Sequence, residues 1–142
     1  MGRFCVAVCI FSLGMLLSGC GSGDDDGLYP LSGAATFNGE PIDLGAITLI
    51  PAGGGGVSMR NSGGVIKDGK YTIPEERGPN AGTYRVEVHW LKKTGRRLRD
   101  EVTGDMYDER IEALPAQFHK NSDLTIEIPA PEDTHDLNLT TG

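Results

Sequence analysis

The strict alternation from Tyr84 to Trp90 is the feature that most constrains the fold of this 142-residue chain. Tyr84, Val86, Val88 and Trp90 occupy every second position, with Arg, Glu and His between them. A period of two residues is typical of a β-strand that buries one of its faces. We therefore expect a half-buried strand here, in a domain that supplies neighbouring strands.

Turn signals divide the surrounding chain into further short strands. Asp68-Gly69 is a dipeptide that favours tight hairpin turns, and Asn38-Gly39 is another. Pro51 is expected to end the strand before it, and Gly63-Gly64 to mark a bulge or bend. Residues 75–82 are expected to form a corner in which Gly78 and Gly82 are available for positive φ. About seven strands follow from this pattern, at residues 31–37, 46–50, 65–67, 70–73, 84–90, 124–128 and 137–139.

The sequence therefore predicts an all-β fold, an antiparallel β-sandwich of about seven strands. Its core is expected to fill the space between two sheets about 10 Å apart. Residues 109–118 could add one helical turn before Pro115. The leading core candidates are Phe37, Ile47, Leu49, Tyr71, Tyr84, Val86, Val88, Leu124, Ile126 and Leu137.

The first nineteen residues have the pattern of a targeting signal. One cationic residue, Arg3, precedes the apolar run of residues 4–17, whose helical length of about 21 Å is too short to cross a bilayer stably. This pattern is typical of a cleaved secretory signal peptide. The run ends in Leu17-Ser18-Gly19-Cys20, which resembles the lipobox of bacterial lipoproteins, and that resemblance implies a lipid such as palmitate on Cys20. The competing myristoylation pattern requires Ser or Thr where this chain has Val6.

The sequence therefore divides into three predicted segments: a signal peptide at 1–19, a lipidated Cys and flexible acidic tether at 20–29, and a β-sandwich domain at 30–142. Cleavage would remove Cys5 and Cys9, so the exported domain has no free thiol and no disulfide. The Gly, Ser and Asp residues of the tether suit a solvated spacer better than a rigid cation site. The resemblance to bacterial lipoproteins also implies sorting by the residue after the cysteine. Gly21 is not the Asp that retains such proteins at the inner membrane, so the outer membrane is preferred.

Residues 92–108 form a long polar insertion with mixed charge. Two interpretations remain open: a contact surface for an anionic polymer or headgroup, and a loop or hairpin whose opposite charges neutralise one another. The residues proposed for a binding loop are Lys92, Lys93, Arg96, Arg97 and Arg99.

Several of these motifs together resemble a known family. Asp68-Gly69-Lys70-Tyr71, followed by residues 78–86, is similar to the carboxypeptidase regulatory-like (transthyretin-like) β-sandwich domains. The layout of lipobox, first strand (residues 31–39) and C-terminal segment (residues 114–128) resembles small secreted lipoproteins of planctomycete bacteria. These motifs are turn and core signatures, so the resemblance implies a fold and no functional residues.

The chain shows no catalytic constellation, and we expect neither an enzyme nor a cofactor. Ser58 lacks the Gly-x-Ser-x-Gly context of a nucleophile, and His89, His119 and His135 lack metal-ligand spacing. The net charge of −7 argues against a nucleic-acid partner.

We therefore expect a non-catalytic, lipid-anchored module of the cell envelope. It would bind the membrane through Cys20 and contact an envelope protein or a polysaccharide. The alternative is a calcium-stabilised adhesion or carbohydrate-binding domain that uses Asp100, Asp105, Asp108 and Glu109.

Overall fold

The computed structural model describes residues 27–53, 59–130, 132 and 134–142. Within these ranges the secondary structure consists of nine β-strands and two 3₁₀-helices of one turn, Glu75–Arg77 and Ala116–Phe118, with no α-helix. The strands are β1 (Leu31–Phe37), β2 (Glu40–Pro41), β3 (Leu44–Gly53), β4 (Ser62–Lys67), β5 (Lys70–Ile73), β6 (Gly82–Arg99), β7 (Met106–Glu112), β8 (Thr125–Ile128) and β9 (Leu137–Leu139).

All nine strands belong to one open sheet. Its main path runs β2-β1-β5-β4-β3-β6-β7, while β8 pairs with β6 and β9 pairs with β1. Neighbouring strands are antiparallel, except that β9 runs parallel to β1. The prediction of an all-β, largely antiparallel fold is confirmed, with nine strands in place of about seven.

Two hairpin turns form where the dipeptides predicted them. Asn38 and Gly39 have φ of 49° and 82°, and they connect β1 to β2. Asp68 and Gly69 have φ of 51° and 75°, and they connect β4 to β5. Positive φ at both central positions characterises the type I′ turn, whose twist matches that of the flanking strands.

The core contains the positions that the alternation predicts. The buried candidates are Ile47, Leu49, Tyr71, Tyr84, Val86, Val88, Ile126 and Leu137. The other two, Phe37 and Leu124, are partly buried and pack against the same cluster. Residues outside the alternating strands complete it, namely Ile42, Leu114 and Phe118.

The sheet is strongly curled. Phe37 of β1 and Trp90 of β6 lie four strand positions apart, which would separate them by about 19 Å in a flat sheet. Their ring centroids are nevertheless only 6.2 Å apart, in an edge-to-face contact. The β1 side of the sheet therefore folds over towards β6, and one core fills the space between them.

Pro51 does not end β3, which continues to Gly53. The pairing of β3 with β4 stops at Leu49, whereas its pairing with β6 continues past Pro51 with a shift of register. Among the described residues, β3 thus has no strand partner on its β4 side beyond Leu49, and a residue without an N–H group is tolerated at such an edge.

Three further local expectations need correction. Residues 109–112 belong to β7 and not to a helical turn, and the 3₁₀-helix comes after Pro115. Gly63 lies in regular β4, where a Cβ would stand 2.5 Å from the Ile47 carbonyl oxygen. Gly82 has a positive φ of 144°, whereas Gly78 has φ of −66°. Gly78 is instead required because a Cβ there would overlap the Tyr29 carbonyl oxygen.

Some expectations fall on other parts of the chain. The signal peptide, Cys20, the tether up to Asp26, and residues 54–58 with Ser58 lie outside the described residues. Among the described residues, no helix has the length and apolar character needed to cross a membrane.

Candidate interaction surface

The polar insertion is a β-hairpin that continues the central strand of the sheet. We call residues 91–112 the hairpin arm. β6 pairs with β3 only up to Trp90, and its remaining nine residues continue beside β7. At about 3.3 Å per residue, the arm extends up to about 30 Å beyond that point.

Four of the five cations predicted for a binding loop are paired with carboxylates. Lys92 Nζ lies 2.9 Å from Glu40 Oε1 and 4.5 Å from the centre of the Trp90 ring. Lys93 Nζ lies 2.7 Å from Asp108 Oδ2, and the Arg97 guanidinium is 3.9 Å from the same carboxylate. Hydrogen bonding from Lys93 and its charge lower the pKa of Asp108. Of the remaining two, Arg96 lies 3.6 Å from Glu109, and Arg99 Nε donates to the Gly104 carbonyl oxygen.

The arm contains one irregular stretch. The pairing of β6 with β7 shifts register between Lys93 and Arg97, where Gly95 has φ of 88°. Thr94 Oγ1 donates to Glu109 Oε2 at 2.7 Å and accepts from Arg96 N–H at 3.2 Å. This threonine therefore fixes the bulge against β7.

Three of the four carboxylates proposed for calcium, those of Asp100, Asp108 and Glu109, already have protein partners. Asp100 Oδ1 accepts hydrogen bonds from the backbone N–H groups of Thr103 and Val102, which lower its pKa. Asp108 and Glu109 face the cations of β6. In the ranges that the structure covers, no group of three or more His, Cys, Asp or Glu side chains is placed to hold a metal ion.

The base of the arm is fixed by two acidic residues. Trp90 Nε1 donates to Asp43 Oδ1 at 2.7 Å, and this bond, with a further contribution from Arg110, lowers the pKa of Asp43. Arg110 also donates to the Leu91 carbonyl oxygen at 2.6 Å. The second acidic residue, Glu112, accepts from the N–H groups of Trp90 and Leu114, each at 3.0 Å.

The structure brings together two histidines that the sequence separates. The rings of His89 and His119 stack with centroids 5.1 Å apart, and His89 Nδ1 lies 2.6 Å from Glu112 Oε2. Burial raises the pKa of Glu112, but the hydrogen bonds from Trp90, Leu114 and His89 outweigh it, so the pKa is lowered overall. The cluster supports the base of the arm. No pattern in the sequence predicts it, because residues 89, 112 and 119 are brought together only by tertiary folding.

The arm exposes apolar side chains as well as charges. Tyr107 and Ile111 are 50% and 56% exposed, and opposite them on β6 stand Leu98 and Lys92. These residues lie on one face of the arm, because directly opposed residues of an antiparallel pair share a face. Val102 at the tip is 94% exposed. In the sequence the cations are conspicuous and these apolar residues are not, because their signal is only two apolar positions, 107 and 111, separated by charges.

Elsewhere, a shallow depression is lined by Arg60, Ser62, Glu76 and Arg77. Its polar groups hold the corner of the fold: Arg60 donates to the carbonyl oxygens of Glu76 and Gly78, and Ser62 to that of Arg77. We assign this depression a structural role.

No protein-family model matches the chain, and neither a curated protein nor a solved structure shows significant similarity to it.

Proposed function

We propose that this chain is a lipid-anchored, non-catalytic binding module of the bacterial cell envelope. The observation that carries the proposal is the segment Leu17-Ser18-Gly19-Cys20, which stands directly after a short apolar run. Cleavage before Cys20 would leave an acylated residue, a Gly/Asp tether and then the sheet. The outer membrane is the proposed destination, because Gly21 follows the cysteine.

The domain at residues 30–142 is proposed to be a β-sandwich of the carboxypeptidase regulatory-like type. The contact between Phe37 and Trp90 supports two packed layers, because it needs distant strands of one sheet to face each other. The positive φ of Asp68 and Gly69 supports the family resemblance, since this turn is part of the motif that carries it.

The hairpin arm is the proposed binding surface, for an envelope protein or a polysaccharide. It extends beyond the β3–β6 pairing, and it carries exposed Tyr107 and Ile111 beside the paired cations. Tyrosine and arginine are enriched where proteins bind partners. The stacked histidines and the hydrogen-bonded acidic residues at its base hold the arm in one position, which favours a preorganised binding surface.

The anchor is tested by replacing Cys20 with Ala. Because the thiol carries the lipid, we expect wild-type chain to incorporate labelled palmitate and sediment with membranes, whereas Cys20→Ala loses the label. Cys9→Ala, inside the leader, is the matched control and should keep it. Unchanged labelling of Cys20→Ala would overturn the lipoprotein assignment.

Binding by the arm is tested with two charge-reversal variants. In the first, Lys93, Arg96 and Arg97 become Glu; in the second, Lys67 and Lys70 on the exposed β4–β5 hairpin become Glu. We expect recovery of envelope partners from solubilised membranes to fall strongly with the first variant only, because it reverses the charge of the arm. Recovery that is equal in both variants would exclude the arm as the contact surface.

A further inference from the structure

The outer edge of β7 is open along its whole length. Among the described residues β7 pairs only with β6, so the backbone groups on its other side have no strand partner. The other strands with a single neighbour, β2, β8 and β9, have two, four and three residues, whereas β7 has seven. A long free edge is a template for another strand.

The hydrogen bonds at both ends of the arm show which residues point outward. Ala113 N–H donates to the Trp90 carbonyl oxygen, and Asp100 N–H donates to that of Asp105. Backbone groups alternate sides along a strand, so residues 107, 109 and 111 point towards β6. The outward N–H and C=O groups therefore belong to Met106, Asp108, Arg110 and Glu112.

The sequence of β7 is self-complementary about Glu109. If a second copy pairs antiparallel around a two-fold axis at this residue, Asp108 stands opposite Arg110 of the second copy, and Tyr107 stands opposite its Ile111. By symmetry each of these pairs occurs twice. Opposite charges and aromatic–β-branched pairs are favourable cross-strand partners. Asp108 and Arg110 also pair with Lys93 and Asp43 of their own chain, so each contact in the dimer extends an existing ion pair. The backbone geometry agrees, because residues 108 and 110 are both outward-pointing.

Neighbouring registers lack this complementarity. Moving the axis to Asp108 places that residue opposite itself and Tyr107 opposite Glu109. Moving it to Arg110 places Asp108 opposite Glu112. Both registers lose the two Asp108–Arg110 pairs, and both place at least one residue opposite a like charge. The axis at Glu109 has one such pair, Glu109 with its own copy, but it keeps the two opposite-charge pairs, so it is the favoured one of these three registers.

The overall charge also favours contact through the arm. Residues 91–112 contain equal numbers of basic and acidic side chains, six of each, so the net charge of −7 resides on the remainder of the chain. Two copies that meet arm to arm therefore avoid the repulsion that other surfaces of an acidic protein impose.

We propose that two copies of this chain dimerise by antiparallel pairing of their β7 edges, with the two-fold axis at Glu109. The pairing joins the two sheets into one. It also places Tyr107 and Ile111 of both copies on one continuous face. The dimer does not depend on the lipid anchor.

Cysteine scanning tests the register in the full chain. At a non-hydrogen-bonded antiparallel pair the Cα atoms are about 4.5 Å apart, which a disulfide spans. We expect Glu109→Cys to give a covalent dimer on mild oxidation. Asp108→Cys, Arg110→Cys and Glu101→Cys should stay at the background set by the wild-type cysteines, Cys5, Cys9 and Cys20. No excess of dimer with Glu109→Cys, or equal cross-linking at 108 or 110, would overturn the proposal.

A charge-exchange pair tests the contact without a cross-link. Asp108→Arg alone places arginine opposite arginine, and Arg110→Asp alone places aspartate opposite aspartate, so sedimentation should show each as a monomer. When mixed, the two variants regain opposite charges at both positions and should form a heterodimer. Glu127→Arg on β8 is the control and should dimerise as wild type does. A wild-type chain that is monomeric at every soluble concentration, or single variants that dimerise normally, would refute the interface.

Glu109, which lies on the proposed two-fold axis, allows a test in which the dimer is expected to become tighter. Glu109 faces its own copy, and replacing it with Gln removes that repulsion at the expense of its ion pair with Arg96, while the Gln amide oxygen can still accept from Thr94. We expect Glu109→Gln to dimerise roughly two- to fivefold more tightly than wild type. A weaker dimer would place the axis elsewhere.

Discussion

Glu112 is the residue that connects the arm to the core most directly. Its carboxylate accepts from the backbone N–H groups of Trp90 and Leu114 and lies beside His89. Trp90 and Leu114 are buried, so without this acceptor two N–H groups at the edge of the core would need another partner. A single, partly exposed side chain thus accepts hydrogen bonds from two backbone N–H groups at the base of the arm, where the pairing of β6 with β7 ends.

This role predicts a pH-dependent loss of stability in Glu112→Gln. The folded pKa of Glu112 lies below its ordinary value of 4.5, so the ionised carboxylate stabilises the fold above that pH, and the contribution is lost as pH falls through the folded pKa. Allowing for its partial exposure, we expect Glu112→Gln to lower the free energy of unfolding by about 1 kcal/mol near pH 7.

Denaturant titrations of both proteins across the acid range measure the effect. The difference between wild type and Glu112→Gln should shrink below pH 4.5. Glu101→Gln at the exposed tip is the control and should match wild type throughout. A difference that is the same at neutral and acid pH would contradict the role of the ionised carboxylate.

Among the elements, the two type I′ hairpins share a turn geometry but differ in their surroundings. At Gly69 an added Cβ would stand 2.8 Å from Pro41 Cβ, whereas none of the described atoms lies within 4 Å of a Cβ built on Gly39. The β4–β5 turn packs on the strand that follows β1, and its backbone is bonded to Ile42 and Asp43. It is therefore a tertiary contact as well as a reversal of direction.

Replacing each glycine by Ala separates these two contributions. Gly39→Ala places a side chain at positive φ and should cost about 1–2 kcal/mol. Gly69→Ala has the same backbone cost and also meets Pro41, so its melting temperature should fall further. Equal destabilisation of the two variants would show that Pro41 moves aside freely.

The elements also show which signals in the sequence are reliable. Residues 84–90 and the dipeptides Asn38-Gly39 and Asp68-Gly69 predict their structures because alternation and positive φ are local requirements. The arm was predicted only as one of two options, since charges of both signs mask its period of two. The expectation that Pro51 ends its strand is wrong. Whether β3 tolerates a proline depends on where the neighbouring strand β4 stops pairing, and that is set by the tertiary structure. The cluster around Glu112 has no local signal at all.

At the scale of the whole molecule, the sheet pairs its first strand, β1, directly with its last, β9. The two halves of β1 have different partners on one side: residues 31–34 pair with β5, and residues 36 and 37 pair with β2. Its other side is taken by β9, and Ala34 N–H donates to Asp136 across 102 residues of chain. The sheet is completed only by this long-range pairing.

The pairing of β1 with β9 sets an order of assembly. Contacts between residues far apart in sequence must first overcome the entropy of closing the loop between them, and they slow folding. During synthesis β1 emerges long before β9, so one side of β1 must wait until almost the entire chain is present. The fold of such a chain cannot be completed until β9 has been synthesised, which is compatible with the export proposed for it.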